Sequence, residues 1–291
     1  MPLTLISDQA LRDLYYMKAT ERPANEPEFL MRDEGPVDAI AAATLIVMRD
    51  PVGDKGSQIL MLRRAKSMRF AAGAIVFPGG RVDGADLEFA RMLPHGLPLS
   101  DAAARIAAIR ETLEEAGVAI GLRALPAQSV VDALRAGLRS GTALAGLLER
   151  YGLTLDLGAL TPFSRWRPGQ AEQLGISRVF DTRFYVAKAP RGACQATVDQ
   201  TENDRLFWGT AAEIIADCDA GTHCAMFPTL RNLERVALGG NHDEVVAHAR
   251  RYRIETVMPW VEKRDGEWHL CIPGHLGYPI QSQIWSTIYR G

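Results

Sequence analysis

Arg110-Glu-Thr-Leu-Glu-Glu-Ala-Gly-Val118 is the stretch on which the reading of this chain turns. Glu111 and Glu115 stand four apart and Glu111 and Glu114 three apart, so on a helix these carboxylates share one side. The opposite side carries an apolar stripe of Ile106, Ile109, Leu113 and Ala116. Ser100 is placed to cap the start of a helix over 101–116, and Gly117 to end it. The acidic side chains then occupy its final turn and a half, where the helix macrodipole is negative and disfavours anions. A solvated acidic face is the ordinary explanation of three nearby glutamates. Here mutual repulsion and the dipole both oppose the arrangement, and a hard dication with oxygen ligands, such as Mg2+, would remove both penalties.

Upstream lies Gly73-Ala-Ile-Val-Phe-Pro-Gly-Gly80, which reads as a short strand running into a tight glycine loop. Phe77-Pro-Gly-Gly80 followed by Arg110-Glu111-x-x-Glu114-Glu115-x-Gly117-Val118 resembles the Nudix box, G-x5-E-x7-R-E-U-x-E-E-x-G-U, with Thr112 and Val118 at the U positions. Gly80 and Arg110 are 30 positions apart where the box has 14, an insertion of 16 residues, and Asp86 stands where a glutamate is expected six after the glycine. An insertion here, with Asp83 and Asp86 behind the glycines, is similar to the coenzyme A diphosphatase branch of that family. The resemblance extends through Leu62-Arg-Arg, Thr161-Pro162, 180–184, 202–208 and 228–233, so that it covers roughly 38–240. A second signature, Leu60-Met-Leu-Arg-Arg-Ala65-x3-Arg69-x3-Gly73-x3-Phe77-Pro-Gly-Gly80, is similar to the coenzyme A motif L-L-T-x-T-[SA]-x3-R-x3-G-x3-F-P-G-G, except that Leu62 and Arg64 hold its two threonine positions.

The resemblance implies a Nudix-type α/β/α sandwich on a mixed sheet with extra helices, and a diphosphatase that uses Mg2+ or Mn2+. It implies Glu111, Glu115, Glu114 and the Gly79 carbonyl as metal ligands, with Arg110 orienting the glutamates. Ordinary i,i+4 pairing of Arg110 with Glu114 is compatible with that role. The base is expected on a later loop, Glu202 first and Glu114 second. Arg63, Arg64, Arg69 and Gly80 would hold the substrate, although a solvated strand end explains the arginines equally well. The implied substrate is a coenzyme A-like nucleotide diphosphate, cleaved to 3',5'-ADP and an (acyl-)4'-phosphopantetheine. A nucleoside diphosphate sugar, ADP-ribose or a dinucleoside polyphosphate would keep the chemistry and change the substrate. A nucleotide-binding module without turnover is the alternative of another class.

Composition agrees with a globular enzyme. Of 291 residues, 47% are hydrophobic and 23% charged, and 33 basic against 35 acidic residues provide no global positive field for nucleic acid or an anionic membrane. The longest strongly apolar run, Ala39 to Met48, is half of what a spanning helix requires. The first residues lack a basic region followed by an apolar one, so a cytoplasmic location is the default expectation. The four cysteines show no CxxC spacing and read as free thiols. The partners expected are therefore a small nucleotide substrate, no nucleic acid and no membrane, with room for a homodimer.

Along the chain, 1–36 reads as a surface leader and 37–254 as the hydrolase domain, with insertions at 81–99 and 122–160; 255–291 reads as an irregular extension. Strands are expected at 39–49, 58–63, 178–188 and 206–208. Helices are expected over 126–151 with a break at Gly141, and at 210–220, 228–238 and 242–252. The segment 81–99, rich in Gly, Asp, Pro and His, reads as a loop.

Overall fold

The computed structural model describes residues 39–51, 56–65, 67, 71–168, 179–190, 196–198 and 202–288. The leader, Lys66, Arg69 and Cys194 lie outside the described residues. An eight-stranded mixed sheet runs in the order β3-β2-β1-β6-β5-β8. Its strands are β1 (Ile40–Arg49), β2 (Gln58–Arg64), β3 (Ile75–Val76), β4 (Gly79–Arg81), β5 (Thr161–Trp166), β6 (Phe180–Lys188), β7 (Asn203–Thr210) and β8 (Thr256–Val257). The central pair, β1 and β6, is parallel, and β2 lies antiparallel to both β1 and β7. One edge of β1 is divided. Met48 and Arg49 pair with β2, whereas Ala42, Ala43 and Thr44 pair with β4, so the glycine loop is carried as a strand.

Strand alternation sends Leu45, Val47, Leu60 and Leu62 into one core and Ile46, Met48, Ile59 and Met61 into the other. The first core is covered by α1 (Gly84–Met92), α2 (Leu99–Ala116), α3 (Gln128–Arg139) and α4 (Leu144–Arg150). The second is covered by α5 (Ala211–Asp219), α6 (Phe227–Val236) and α7 (His242–Ala249). The result is the expected α/β/α sandwich with a mixed sheet and extra helices. Among the described residues no helix is long and apolar enough to cross a membrane.

Three local expectations are corrected. The segment read as a loop over 81–99 contains α1, whose first turn is closed by Asp86 Oδ2 accepting from the Asp83 amide at 2.9 Å. That Asp83/Asp86 spacing is a capping signal, obscured by the surrounding Gly and Pro. Helix α2 begins at Leu99 after Pro98, so Ser100 lies inside its first turn and caps nothing; Gly117, at φ +66°, ends it as expected. Finally, the described part of the C-terminal extension, 255–288, is not irregular. Its β8 joins the main sheet, and β9 (Trp260–Arg264), β10 (Glu267–Cys271) and β11 (Ser282–Ile284) form an antiparallel sheet. Asp265 and Gly266 supply the positive-φ pair that a two-residue hairpin turn demands. Val261, Leu270, Ile272 and Tyr278 from this segment pack in the second core.

Helix α2 also differs from the amphipathic picture. It is wedged between the sheet, α1 and α3, and every residue from Ala102 to Ile109 is buried. Six alanines on α2 make that close approach feasible, because small side chains let helix and sheet backbones come together.

Candidate active site

Helix α2 presents its C-terminal half to β4, the strand that carries Gly79 and Gly80. Glu115 is 6% exposed, and both its carboxylate oxygens are engaged. Oε2 accepts from the Gly79 amide at 2.9 Å and Oε1 from Asn203 Nδ2 at 3.1 Å. Glu111, one turn earlier, lies against Gly80, where an added Cβ would stand 2.5 Å from the Glu111 Cδ. Two carboxylates thus converge on two consecutive glycines. Glu114 remains partly exposed. The shared acidic side expected from helical spacing is divided by packing, with Glu115 turned into the interior.

Arg110 is held from α1. Its Nε donates to Asp86 Oδ1 at 3.0 Å, its Nη2 to Asp86 Oδ2 at 2.9 Å and to the Arg81 carbonyl at 2.9 Å, and its Nη1 to Glu111 Oε1 at 2.8 Å. Its ion-pair partners are Asp86, Glu111 and, at 3.5 Å, Asp83; the i,i+4 pair with Glu114 is not formed. Asp86 is 2% exposed, so the aspartate in the glutamate position of the box is the buried anchor of this network. Burial alone would lower the Arg110 pKa, but the Asp86 hydrogen bond and the charges of Glu111 and Asp86 carry it above the ordinary arginine range. For Glu111 burial wins over the pull of Arg110, and its carboxyl is pushed up to about 7.

On β2, Arg64 pairs in register with Asn203, after a shift of register against β7 between Arg63 and Arg64. Arg63 shares the face of Ile59 and Met61, and its Nε donates to Asp204 Oδ1 at 2.7 Å. Leu62 is fully buried, so the side chain at that coenzyme A motif position serves the core. Glu202 is exposed, one residue before Asn203, and its carbonyl accepts from the Ala65 amide at 2.8 Å. Gly79 approaches Glu115 through its amide. Arg69 lies outside the described residues. Asn203, fully buried at the start of β7, was not singled out from the sequence. Only its position directly after Glu202 on an acidic loop could have drawn attention to it.

The donor set suits a hard dication in kind: it is all oxygen, and a cation beside Glu111 would ionise a carboxyl that burial holds near neutrality. Among the described residues no three His, Cys, Asp or Glu side chains already converge to hold a metal. Further oxygens would have to come from Glu114, the Gly79 carbonyl or water. Replacing Gly80 by Ala would displace the Glu111 carboxylate, the movable end of a side chain, while leaving the backbone intact. Gly80→Ala is therefore expected to weaken Mn2+ binding by about tenfold, with the melting temperature little changed. Titration of the purified variant with Mn2+ checks this.

Sequence and fold comparisons agree on where this architecture occurs. A crystal structure of a Nudix hydrolase from Alicyclobacillus acidocaldarius superimposes with a TM-score of 0.61 at 29% identity, over 72% of this chain and 96% of that one. In fold and in sequence the chain is similar to Nudix hydrolases. The stretch that resembles the Nudix box is interrupted by α1, and no protein-family model matches the chain. A curated relative, the acyl-coenzyme A diphosphatase NUDT19 of Gallus gallus, is 29% identical, with the match covering 57% of this chain. The matched region spans 57% of that relative's length.

The raised Glu111 pKa sets the sign of a pH effect. An acid whose pKa rises on folding, from 4.5 to about 7, binds more protons folded than unfolded between those values. Its contribution is complete below pH 4.5 and is lost as pH rises through about 7. Glu234, whose carboxyl burial also pushes up to about 7, acts in the same direction. Metal-free protein should thus lose stability from about pH 4.5 to pH 7, and Mg2+ should restore part of it at the upper end. Melting curves across this range with and without Mg2+ test the sign.

Proposed function

We propose that this protein is a divalent-cation-dependent Nudix hydrolase that cleaves the diphosphate of coenzyme A or acyl-coenzyme A to 3',5'-ADP and an (acyl-)4'-phosphopantetheine. The observation that carries the reading is the pairing of Glu111 and Glu115 with Gly79 and Gly80, in a chain related to an acyl-coenzyme A diphosphatase. Glu111 and Glu115, with Glu114 and the Gly79 carbonyl, are the groups that would hold Mg2+ or Mn2+. A bound dication supplies charge neutralisation at the diphosphate oxygens and lowers the pKa of a coordinated water.

The chain's own residues do the rest. Asp86 fixes Arg110, and Arg110 orients the Glu111 carboxylate. Asn203 and the Gly79 amide hold the Glu115 carboxylate between two donors. Glu202, beside Asn203, takes the proton of the attacking water, with Glu114 as the second candidate base. Arg64, in register with Asn203, is suited to a substrate phosphate; Arg69 of the coenzyme A motif is assigned the same task. Arg63, bound to Asp204, contributes less directly.

A product-resolved hydrolysis screen over coenzyme A, 3'-dephospho-coenzyme A, ADP-ribose and a dinucleoside polyphosphate tests this, with and without Mg2+ or Mn2+. Release of 3',5'-ADP from coenzyme A only with the cation is the expected result. Faster turnover of ADP-ribose or a dinucleoside polyphosphate would shift the substrate class, a result that the departures from the coenzyme A motif at Leu62 and Arg64 would then explain. Nucleotide binding without product over hours would leave a non-catalytic module.

A further inference from the structure

The inserted helix α3 sends one buried cation to the end of α2. Arg135, 8% exposed, donates from Nε to the Glu114 carbonyl at 2.8 Å and from Nη2 to the Glu115 carbonyl at 2.7 Å. The same guanidinium donates from Nη1 to Thr197 Oγ1 at 2.5 Å and from Nη2 to the Thr197 carbonyl at 2.6 Å. The Thr197 amide in turn donates to the Ala116 carbonyl at 3.1 Å, and the Gly117 amide to that of Leu113 at 2.9 Å. All four terminal carbonyls of α2, from Leu113 to Ala116, are therefore engaged. Gly117 leaves room for the fork, since a Cβ there would stand 3.1 Å from Arg135 Nη1.

The consequence reaches beyond a helix cap. The wrong-pole problem of the acidic turn is answered in part by a protein cation placed at the negative end of the macrodipole. Glu115 is gripped twice, its carbonyl by Arg135 and its carboxylate by Gly79 and Asn203. Thr197, on the same guanidinium, lies five residues before Glu202 and six before Asn203. One side chain thus joins the turn that bears Glu114 and Glu115 to Thr197. A point charge on a flexible stem could answer the dipole, but only a planar fork can hold two helix carbonyls and a third strand of chain at fixed angles.

We propose that Arg135 is a positioning residue of the diphosphate site, through which the 122–160 insertion ties the Glu115 turn to Thr197. The proposal rests on the hydrolase reading above for its catalytic meaning, and its test separates the two. Arg135→Lys, Arg135→Met and Leu138→Ala, the last truncating a buried apolar α3 side chain that forms none of these hydrogen bonds, are prepared in the full chain. They are compared by Mn2+ titration, by kcat and KM, by melting temperature, and by hydrogen exchange at the Thr197 amide.

Arg135→Met should weaken Mn2+ binding and lower kcat by about tenfold to a hundredfold, with KM changed by less than about threefold, and should raise exchange at the Thr197 amide. Arg135→Lys should keep the melting temperature near wild type and still bind Mn2+ about tenfold more weakly. Leu138→Ala should lower the melting temperature and leave Mn2+ affinity unchanged. Wild-type Mn2+ affinity in Arg135→Lys and Arg135→Met, or affinity that follows melting temperature across all three variants, overturns the proposal. Should wild type itself bind no Mn2+ and cleave no diphosphate, the hydrolase reading falls. Exchange then decides whether Arg135 positions this turn: unchanged protection of the Thr197 amide in Arg135→Met refutes it, and lost protection sustains it.

Discussion

Glu115→Gln is expected to lower turnover by more than about 100-fold in a protein that remains folded, because loss of a ligand should exceed the tenfold to hundredfold cost of altering an outer partner. The side chain is 6% exposed and fits between a backbone amide and Asn203 Nδ2, both donors. A glutamine keeps the volume and can accept from one of them, but its NH2 must then face the other. That mismatch costs about 1–3 kcal/mol, too little to unfold a chain of this size. The charge is lost as well, and with it an oxygen anion for a dication. Circular dichroism and a product assay on the same preparation separate the two effects. Turnover within tenfold of wild type would show that Glu115 is a structural acceptor only.

The largest effect on stability is expected at Arg110. Arg110→Met would remove the bidentate partner of Asp86, a carboxylate 2% exposed, and leave its charge buried with only the Asp83 amide. Stranding one member of a buried pair typically costs about 3–5 kcal/mol. At roughly 2–4 °C per kcal/mol for a large domain, the melting temperature should fall by about 6–20 °C. The double variant Asp86→Asn with Arg110→Met should recover much of that loss, because neither charge is then stranded. A double variant as unstable as the sum of its parts would contradict the stranded-charge explanation. Activity should remain low in both, since Glu111 loses the guanidinium that orients it.

What could be read from the sequence was local. The box helix, its Gly117 stop, the break at Gly141 and the strands at β1 and β6 all follow from period and punctuation over a dozen residues. Strand parity on β2 is equally legible for Ile59 to Leu62, whereas the register shift between Arg63 and Arg64 against β7 is not encoded in that alternation. The helical wheel failed at Glu115 for a different reason. It assumes one packed side, and α2 is enclosed by the sheet, α1 and α3 together. Contacts that couple distant segments were not legible at all. Asn203 meets Glu115 across 88 residues and Arg135 meets Thr197 across 62, and no local periodicity encodes such pairs. The Asp265-Gly266 turn was legible and was overlooked inside a stretch rich in Pro, Gly and Trp.

The central claim is that the acidic end of α2 is tolerated because a dication belongs between it and the glycine strand. Anomalous diffraction from a crystal soaked in Mn2+ tests this most directly. The account predicts a peak bounded by the Glu111 and Glu115 carboxylates and the Gly79 carbonyl, with Glu111 drawn from Arg110 toward it. No peak at that place under saturating Mn2+, with Glu111 still on Arg110 and Glu115 still on Asn203, would contradict it.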